Sequence, residues 1–442
     1  MTRYVIIGTG VAAIAAAEAI RRADKSGEIV LVGDDPHGYY SRPGLAYYLT
    51  SEVTGSLLQA YPPKATQELR AQFLRGRVAR INADAHMIEI AGMGTQSYDR
   101  LLIATGASAV RLQIPGAELH GVVKLDHLED AKRIVGLARH SRSAVVVGGG
   151  ITALELVEGL TAQGLRVHYL LRGDRYWGNV LDEAESRVVE GRLRDQGVVL
   201  HFNTELAEVQ SRKTLFGRTQ KVGSVRTTSG EIIKCELLAY AIGVVPQTAL
   251  AREAGIRCDK GILTNEYMET SARAVFAAGD VAQVFDPATG KAVIDSLWSP
   301  AREQGAAAGR AMAGHRIPYV KPSPLNVTRL AGLTTTIIGT VGTGQDTDVH
   351  GIARGDSETW RHIPDAMVAQ GGFDVNRLRL MVGKRTLLGA VVMGDQTLSM
   401  VVETMVREGV DITSIHDPLL EEGAPVAEIL ANFWTEWKQR AR

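Results

Sequence analysis

Cysteine is almost missing from this chain of 442 residues, which has only Cys235 and Cys258. Two thiols cannot build a disulfide framework or a four-thiolate metal site, and their scarcity fits a reducing compartment. A Cys-x4-Cys redox pair is absent, as are the His-Cys and His-x3-His spacings of a metal site. Net charge is missing too. Lys+Arg and Asp+Glu are both 49, which disfavours non-specific nucleic-acid binding, because that depends on releasing counterions from phosphates. Long apolar runs are also lacking. The longest uncharged stretch, Leu330 to Gln345, spans sixteen residues, short of the roughly 18 to 20 apolar residues of a membrane span. The N-terminal apolar run superficially suggests a signal peptide, but Gly8, Gly10 and Glu18 interrupt it. With 45% apolar and 22% charged residues, the expectation is a soluble, cytoplasmic protein of about three domains.

Glycine, by contrast, is abundant: 47 residues, or about 11% against a usual ~7%. It gathers at the ends of short apolar runs, where an α/β protein turns from strand to helix. Tyr4–Ile7 reads as a buried strand, followed by Gly8-Thr9-Gly10-Val11-Ala12-Ala13 and an Ala-rich helix to about Arg22. The pattern returns 140 residues later: Ala144–Val147, Gly148-Gly149-Gly150-Ile151-Thr152-Ala153 and a helix to about Gln163. Each copy leads to a second apolar strand, Ile29–Val32 and Val167–Leu171, so the chain holds two βαβ units. Leu101–Gly106, Leu237–Gly243 and Val275–Asp280 are further strands ending on small-residue turns. A helix-like segment, Ser299–Met312, leads to a linker, Pro318–Pro324. Beyond it, strands at Thr334–Ile338, Leu378–Val382 and Leu387–Val392 with helices at Thr397–Arg407 and Val426–Trp437 read as a separate α+β domain.

Each Gly-x-Gly-x-x-Ala has a physical purpose. The first glycine makes the tight turn, the second admits a pyrophosphate to the backbone, and the small third residue lets helix and strand pack closely. The helix N-terminus then offers unpaired N–H groups to the phosphates. One copy is weak evidence, whereas two copies, each between a strand and a helix, predict two bound dinucleotides. An acid closing the second strand hydrogen-bonds a ribose. The first unit supplies Asp34 and Asp35, which could also be a plain acidic turn before Pro36. The second unit has Leu171-Arg172-Gly173-Asp174-Arg175 there instead. Losing the carboxylate and gaining Arg172 favours a 2′-phosphate, with Arg175 as a helper. The alternative is that both arginines are solvated turn residues.

These signposts, in this order, resemble the two-dinucleotide-binding flavoprotein family that includes pyridine nucleotide-disulfide oxidoreductases, ferredoxin and rubredoxin reductases, NADH oxidases and coenzyme A-disulfide reductases. The resemblance runs from Tyr4 to about Gly314 and more loosely beyond. It rests on Gly8/Gly10/Ala13, Asp35, Ala104-Thr105-Gly106, Gly148/Gly150/Ala153 with Glu155, Gly243 with Pro246, and Ala277-Ala278-Gly279-Asp280. It implies FAD in the first unit and NAD(P)H in the second. It further implies that Asp280 grips the ribityl and phosphate region of FAD, and that Thr105 and Gly106 lie on a chain crossing near the flavin. Val78 would meet adenine through its backbone. Arg42-Pro43 is similar to the Arg-Pro of ferredoxin and rubredoxin reductases, whose Arg meets the FAD phosphates. The helix that Trp298 precedes would begin near the flavin's pyrimidine end, with domain packing as the other reading of Trp298.

Departures from the family pattern matter as much. Gly44-Leu45-Ala46-Tyr47-Tyr48 is similar to the segment after the active cysteine of coenzyme A-disulfide reductases, but Pro43 stands in that cysteine's place. Tyr47 replaces the flavin-side lysine that similar reductases pair with a glutamate like Glu155, so Tyr47 and Glu155 are the residues expected at the chemistry. Cys235, Cys258 and His37 read as structural. The expected fold is α/β: an FAD domain (1–113 and 244–320), an NAD(P)H domain (114–243) and a C-terminal α+β interface domain (321–442). The expected function is an FAD-dependent NAD(P)H oxidoreductase, with NADPH favoured over NADH. It would pass electrons to a small redox protein such as rubredoxin or ferredoxin, as a homodimer or as a subunit of a redox complex. An NAD(P)H oxidase or quinone reductase, or a flavin-bearing subunit with a decayed nicotinamide site, are the alternatives.

Overall fold

The computed structural model describes all residues except 60–66, 213–219, 288, 342–366, 372–375 and 441–442. Four helices carry the argument: α1 (Val11–Ala23), α2 (Ile151–Ala162), α3 (Glu183–Asp195) and α4 (Trp298–Met312). The residues form two compact units. The first comprises Met1–Val110, Asp126–Arg133 and Gly243–Lys321; the second, Arg111–Leu125, Ile134–Ile242 and Pro322–Arg442.

The first unit is built on a five-stranded parallel sheet in the order Val275–Ala277, Arg100–Ile103, Arg3–Ile7, Glu28–Gly33, Ala71–Arg75. Val5, Ile6, Val30, Leu31, Leu101 and Leu102 are wholly buried. Burial on both faces is why these strands read as continuous apolar runs rather than alternating ones. The Ala-rich sequence of α1 has a reason that composition alone does not reveal. A side chain at Gly305 of α4 would put its Cβ 2.1 Å from the Ala12 carbonyl oxygen, and one at Gly309 would put it 2.4 Å from that of Ala16. The two helices therefore cross backbone to backbone, which only small residues on both sides permit.

The second unit repeats the parallel plan in the order Val199–His201, Arg166–Leu170, Ser143–Val147, Leu237–Tyr240, Val122–Lys124. Its C-terminal part is a five-stranded antiparallel sheet, Leu325–Leu330, Leu333–Gly339, Leu387–Met393, Arg377–Val382 and Met367–Gly371. Helices Ser399–Glu408 and Val426–Arg440 pack on it through Val402, Met405 and Leu430. The α/β class is thus as expected, and the strands and helices anticipated past residue 330 lie within a few residues of their predicted bounds. The sequence reading missed α3, although Asp182 and Glu185 form a complete capping box there. Buried Arg379 fastens this helix to the C-terminal sheet: its Nε donates to Glu185 Oε1 at 2.9 Å and its Nη2 to the Val180 carbonyl at 2.7 Å.

The crossing of α1 and α4 gives a direct test. Gly305→Ala is expected to cost about 1–3 kcal/mol in urea unfolding, because neither backbone can yield without losing the contact. Gly136→Ala, whose Cβ would meet nothing within 4 Å, is the control and should be neutral or slightly stabilising. Equal effects from the two substitutions would disprove the backbone-to-backbone crossing.

Candidate functional site: two dinucleotide cradles

The strand Arg3–Ile7 ends on Gly8, whose φ of +122° is open to few other residues and whose Cβ would lie 2.2 Å from the Ala104 carbonyl oxygen. The chain therefore turns sharply into α1, with Gly10 at the N-cap and no side chain capping it. A Cβ on Gly10 would meet nothing within 4 Å. The first N–H groups of α1 thus open onto free space, with the positive end of the helix behind them. Gly148 repeats this geometry, with φ of +139° and a Cβ 2.2 Å from the Ala241 carbonyl oxygen. Gly150 caps α2, while Ile151, Thr152 and Ala153 are buried beneath. Both cradles fit a pyrophosphate: the turns at Gly8 and Gly148 leave no room for a side chain, while a Cβ on Gly10 or Gly149 would meet nothing within 4 Å.

The first cradle is lined from several directions. Asp34 is exposed and Asp35 half-buried just past the strand Glu28–Gly33, and Asp35 Oδ1 accepts the His37 amide at 2.9 Å. His37 itself reaches Glu129, Nε2 to Oε1 at 2.5 Å, so it ties the turn to the segment after residue 126. Gly279 donates its N–H to buried Gln304 Oε1 at 2.9 Å, and its Cβ would stand 3.1 Å from that of Ala12. That holds Asp280 close to the start of α1. Thr105 and Gly106 are bound to Gln247 by three hydrogen bonds of 2.9–3.1 Å. The strands Ala107–Ala109 and Val244–Pro246, which follow Gly106 and Gly243, pair antiparallel. Val78 opens the strand Val78–Asn82 and is half-buried. Trp298 starts α4 with 43% of its surface exposed and the Arg302 guanidinium 6.0 Å above its ring. Gln304, Gln247 and Glu129 went unnoticed in the sequence because no motif marks a residue that acts by bracing another.

Arg42 and Pro43 precede the short helix Gly44–Leu49, on which Tyr47 is 40% exposed. Glu155 lies half-buried on the second turn of α2, in the other unit. In the second cradle the two arginines differ sharply. Arg175 donates to Asp174 at 3.2 Å and to the Gly178 carbonyl at 3.1 Å, so it is engaged within its own loop. Buried Tyr176 and Trp177 anchor that loop, with the Tyr176 amide donating to Glu190 at 2.9 Å. Arg172 stands exposed.

Neither thiol is suited to redox work. Burial pushes the Cys235 thiol up to about 12, and burial also raises Cys258, so neither is a ready thiolate. Among the described residues, no group of three or more His, Cys, Asp and Glu could hold a metal ion, and no helix is long and apolar enough to cross a membrane.

One buried acid went unnoticed in the sequence. Asp295 is 1% exposed, and among the described residues neither of its oxygens has a hydrogen-bond partner. Lys321 Nζ stands 3.6 Å away and is also buried.

The family described as pyridine nucleotide-disulphide oxidoreductase matches residues 2–305. The ferredoxin reductase component of a chlorobenzene dioxygenase from a Cupriavidus species is 30% identical over 338 residues, 75% of this chain and 79% of that one. A rubredoxin-NAD(+) reductase from Pseudomonas putida is 32% identical over 280 residues, 63% of this chain and 71% of that one. Among solved structures, a ferredoxin reductase from Rhodopseudomonas palustris superposes with a TM-score of 0.84 at 21% identity, covering 97% of this chain and 99% of that one.

Asp295 supplies a pH prediction. Burial raises its carboxyl to about 6; Lys321 opposes the shift, and Asp280 adds to it. The folded state therefore keeps a proton that the unfolded chain releases near pH 4. Stability from this group is full below that pH and is lost as pH rises through about 6, by roughly 2–3 kcal/mol. Urea unfolding of Asp295→Asn against the parent protein should show the variant gaining relative stability between pH 4.5 and pH 7. A difference that does not change with pH would show that Asp295 is ionised throughout.

Proposed function

Because the chain belongs to the pyridine nucleotide-disulphide oxidoreductase family, whose members are FAD-dependent NAD(P)H oxidoreductases, we propose that it takes hydride from NADPH and delivers electrons to a small carrier protein of the ferredoxin or rubredoxin kind. The observation that carries this reading is the absence of a usable thiol. Pro43 holds the position of an active cysteine, and both cysteines are held protonated in structural surroundings. Electrons then have no internal dithiol to reduce and leave for an external acceptor. The names of the relatives, a ferredoxin reductase component and a rubredoxin reductase, support the same class of acceptor.

In this reading the FAD domain is 1–113 with 244–320, and the NAD(P)H domain is 114–243, of which 126–133 groups with the first compact unit. The N-terminus of α1, with Gly8, Gly10, Val11, Ala12 and Ala13, holds the FAD pyrophosphate. Asp35, flanked by Asp34, takes the adenosine ribose, Val78 meets the adenine, and Arg42 and Asp280 hold the phosphate and ribityl region. Ala104, Thr105, Gly106, Gly243 and Gly279 shape the backbone that the cofactor lies along. Pro43 and Trp298 border the flavin, and the positive end of α4 favours negative charge there. FAD, when bound, accepts hydride and releases electrons onward. On the nucleotide side, Gly148, Gly150, Ile151 and Thr152 form the phosphate seat, and Arg172 meets the 2′-phosphate of NADPH. Arg175 keeps the loop in shape. Tyr47 in the first unit and Glu155 in the second are the residues assigned to the chemistry. Residues 321–442 carry the dimer or complex interface, and the free thiols suit a reducing, cytoplasmic setting.

Two measurements test this. A charge-assisted phosphate contact is worth roughly 1.5–3 kcal/mol, so Arg172→Ala should lower the NADPH/NADH ratio of kcat/KM by about tenfold or more. A parent enzyme that prefers NADH would refute the nucleotide assignment. Anaerobic titration should consume one equivalent of NADPH per flavin, and the Cys235→Ser/Cys258→Ser double variant should keep its activity. A second equivalent consumed, or activity lost in that variant, would place a thiol in the electron path.

A further inference from the structure

Arg42 is held by a residue that no motif marks. Its Nη1 donates to the Asp126 carbonyl at 3.3 Å and lies 3.5 Å from Asp126 Oδ1, while its Nη2 is 3.4 Å from His127 Nδ1. The Asp126 side chain is 1% exposed, against 38% for Arg42. A carboxylate removed from water needs counter-charge; Arg42 supplies it, with His127 Nε2 also 3.5 Å from Oδ2, and losing a cation leaves a costly buried anion. The other Asp126 oxygen, Oδ2, accepts the Ala109 amide at 3.0 Å, so Asp126 also ties down the strand that follows Thr105-Gly106. Asp126 itself is fixed: Asp130 Oδ2 accepts its amide at 3.1 Å and that of His127 at 3.2 Å. Next to them the Tyr40 hydroxyl accepts the Leu128 amide at 3.0 Å.

All of these contacts fall within the first unit, and together they fix one face of the guanidinium. A guanidinium has five donors in a rigid fork. The contacts to Asp126 and His127 are long and engage one side, which leaves donors for a second anion. A fork already held by its neighbours loses less conformational freedom when that anion arrives.

We propose that Asp126 is a positioning residue whose buried carboxylate orients Arg42 for the pyrophosphate of FAD. This rests on the reading of Arg42 as a phosphate-binding residue. The segment 126–133 is then part of the cofactor site, although none of its residues belongs to a dinucleotide motif.

The test is a double-variant cycle on cofactor affinity. Purified holoprotein is serially diluted, and free FAD is followed by its fluorescence. Asp126→Asn, which keeps an acceptor for the Ala109 amide and removes the charge, and Arg42→Gln should each weaken FAD binding about tenfold. The double variant should be no weaker than Arg42→Gln alone, because Asp126 acts through Arg42. A purely structural Asp126 would give additive losses, about a hundredfold in the double variant, and that result overturns the proposal. So does Asp126→Asn binding FAD as tightly as the parent while Arg42→Gln binds weakly. If Arg42→Gln itself leaves the affinity unchanged, the phosphate-binding reading of Arg42 fails instead. Should Asp126→Asn not fold, Asp126→Glu, which keeps the charge and displaces it by one methylene, enters the same cycle under the same requirement.

Discussion

Among the described residues, backbone meets backbone at three places around α1, and the rest of the first unit's architecture follows from that closeness. Gly8 lies against the Ala104 carbonyl, and Gly305 and Gly309 lie against the carbonyls of Ala12 and Ala16. The first contact sets the angle at which α1 leaves the sheet, and the other two press α4 along it. With α1 clamped between sheet and helix, its N-terminal amides have one direction left to face. A charge-binding end built this way needs no side chain of its own, and it cannot turn away to find another partner. The second unit uses the same first contact at Gly148.

Within each unit, polar residues work in pairs, one reaching outward and one behind it. Gln304 stands behind Gly279 and Asp280, Gln247 behind Thr105, Asp126 behind Arg42, and Arg379 behind the start of α3. Bracing of this kind lowers the entropy lost when a ligand is gripped. It also holds side chains from distant parts of the sequence together within each unit.

The outward-facing layer was legible in the sequence and the layer behind it was not. Glycines at a strand end and a small residue three further on declare a local backbone shape, and the chemistry of a pyrophosphate follows from that shape. The parallel strands were legible because burial on both faces leaves an unbroken apolar run. Asp126, Gln304 and Arg379 act across sequence separations of 84, 25 and 194 residues, and nothing in their neighbourhood announces a partner. The strand Met367–Gly371 and helix α3 were also missed. The capping box at Asp182 was readable, but a charged helix with little apolar periodicity hides its buried face. The two arginines also differ in surroundings that the sequence does not show: Arg172 is exposed, whereas Arg175 is turned into its own loop.

Neither unit is a continuous stretch of chain, and this bears on how the protein is born. The central sheet of the first unit is incomplete until Val275–Ala277 is made, and α1 lacks its helical neighbour until Gly305 and Gly309 follow. At ribosomal speed the roughly 165 residues between Val110 and Val275 take on the order of 10–30 s to synthesise. For that time an N-terminal segment of very apolar strands waits without its last strand or its covering helix. The intervening chain, Arg111–Leu125 with Ile134–Ile242, holds the parallel sheet of the second unit and can begin to form during the wait. The insertion that separates the two halves of the first unit thereby also sets the order in which the nascent chain can bury its cores.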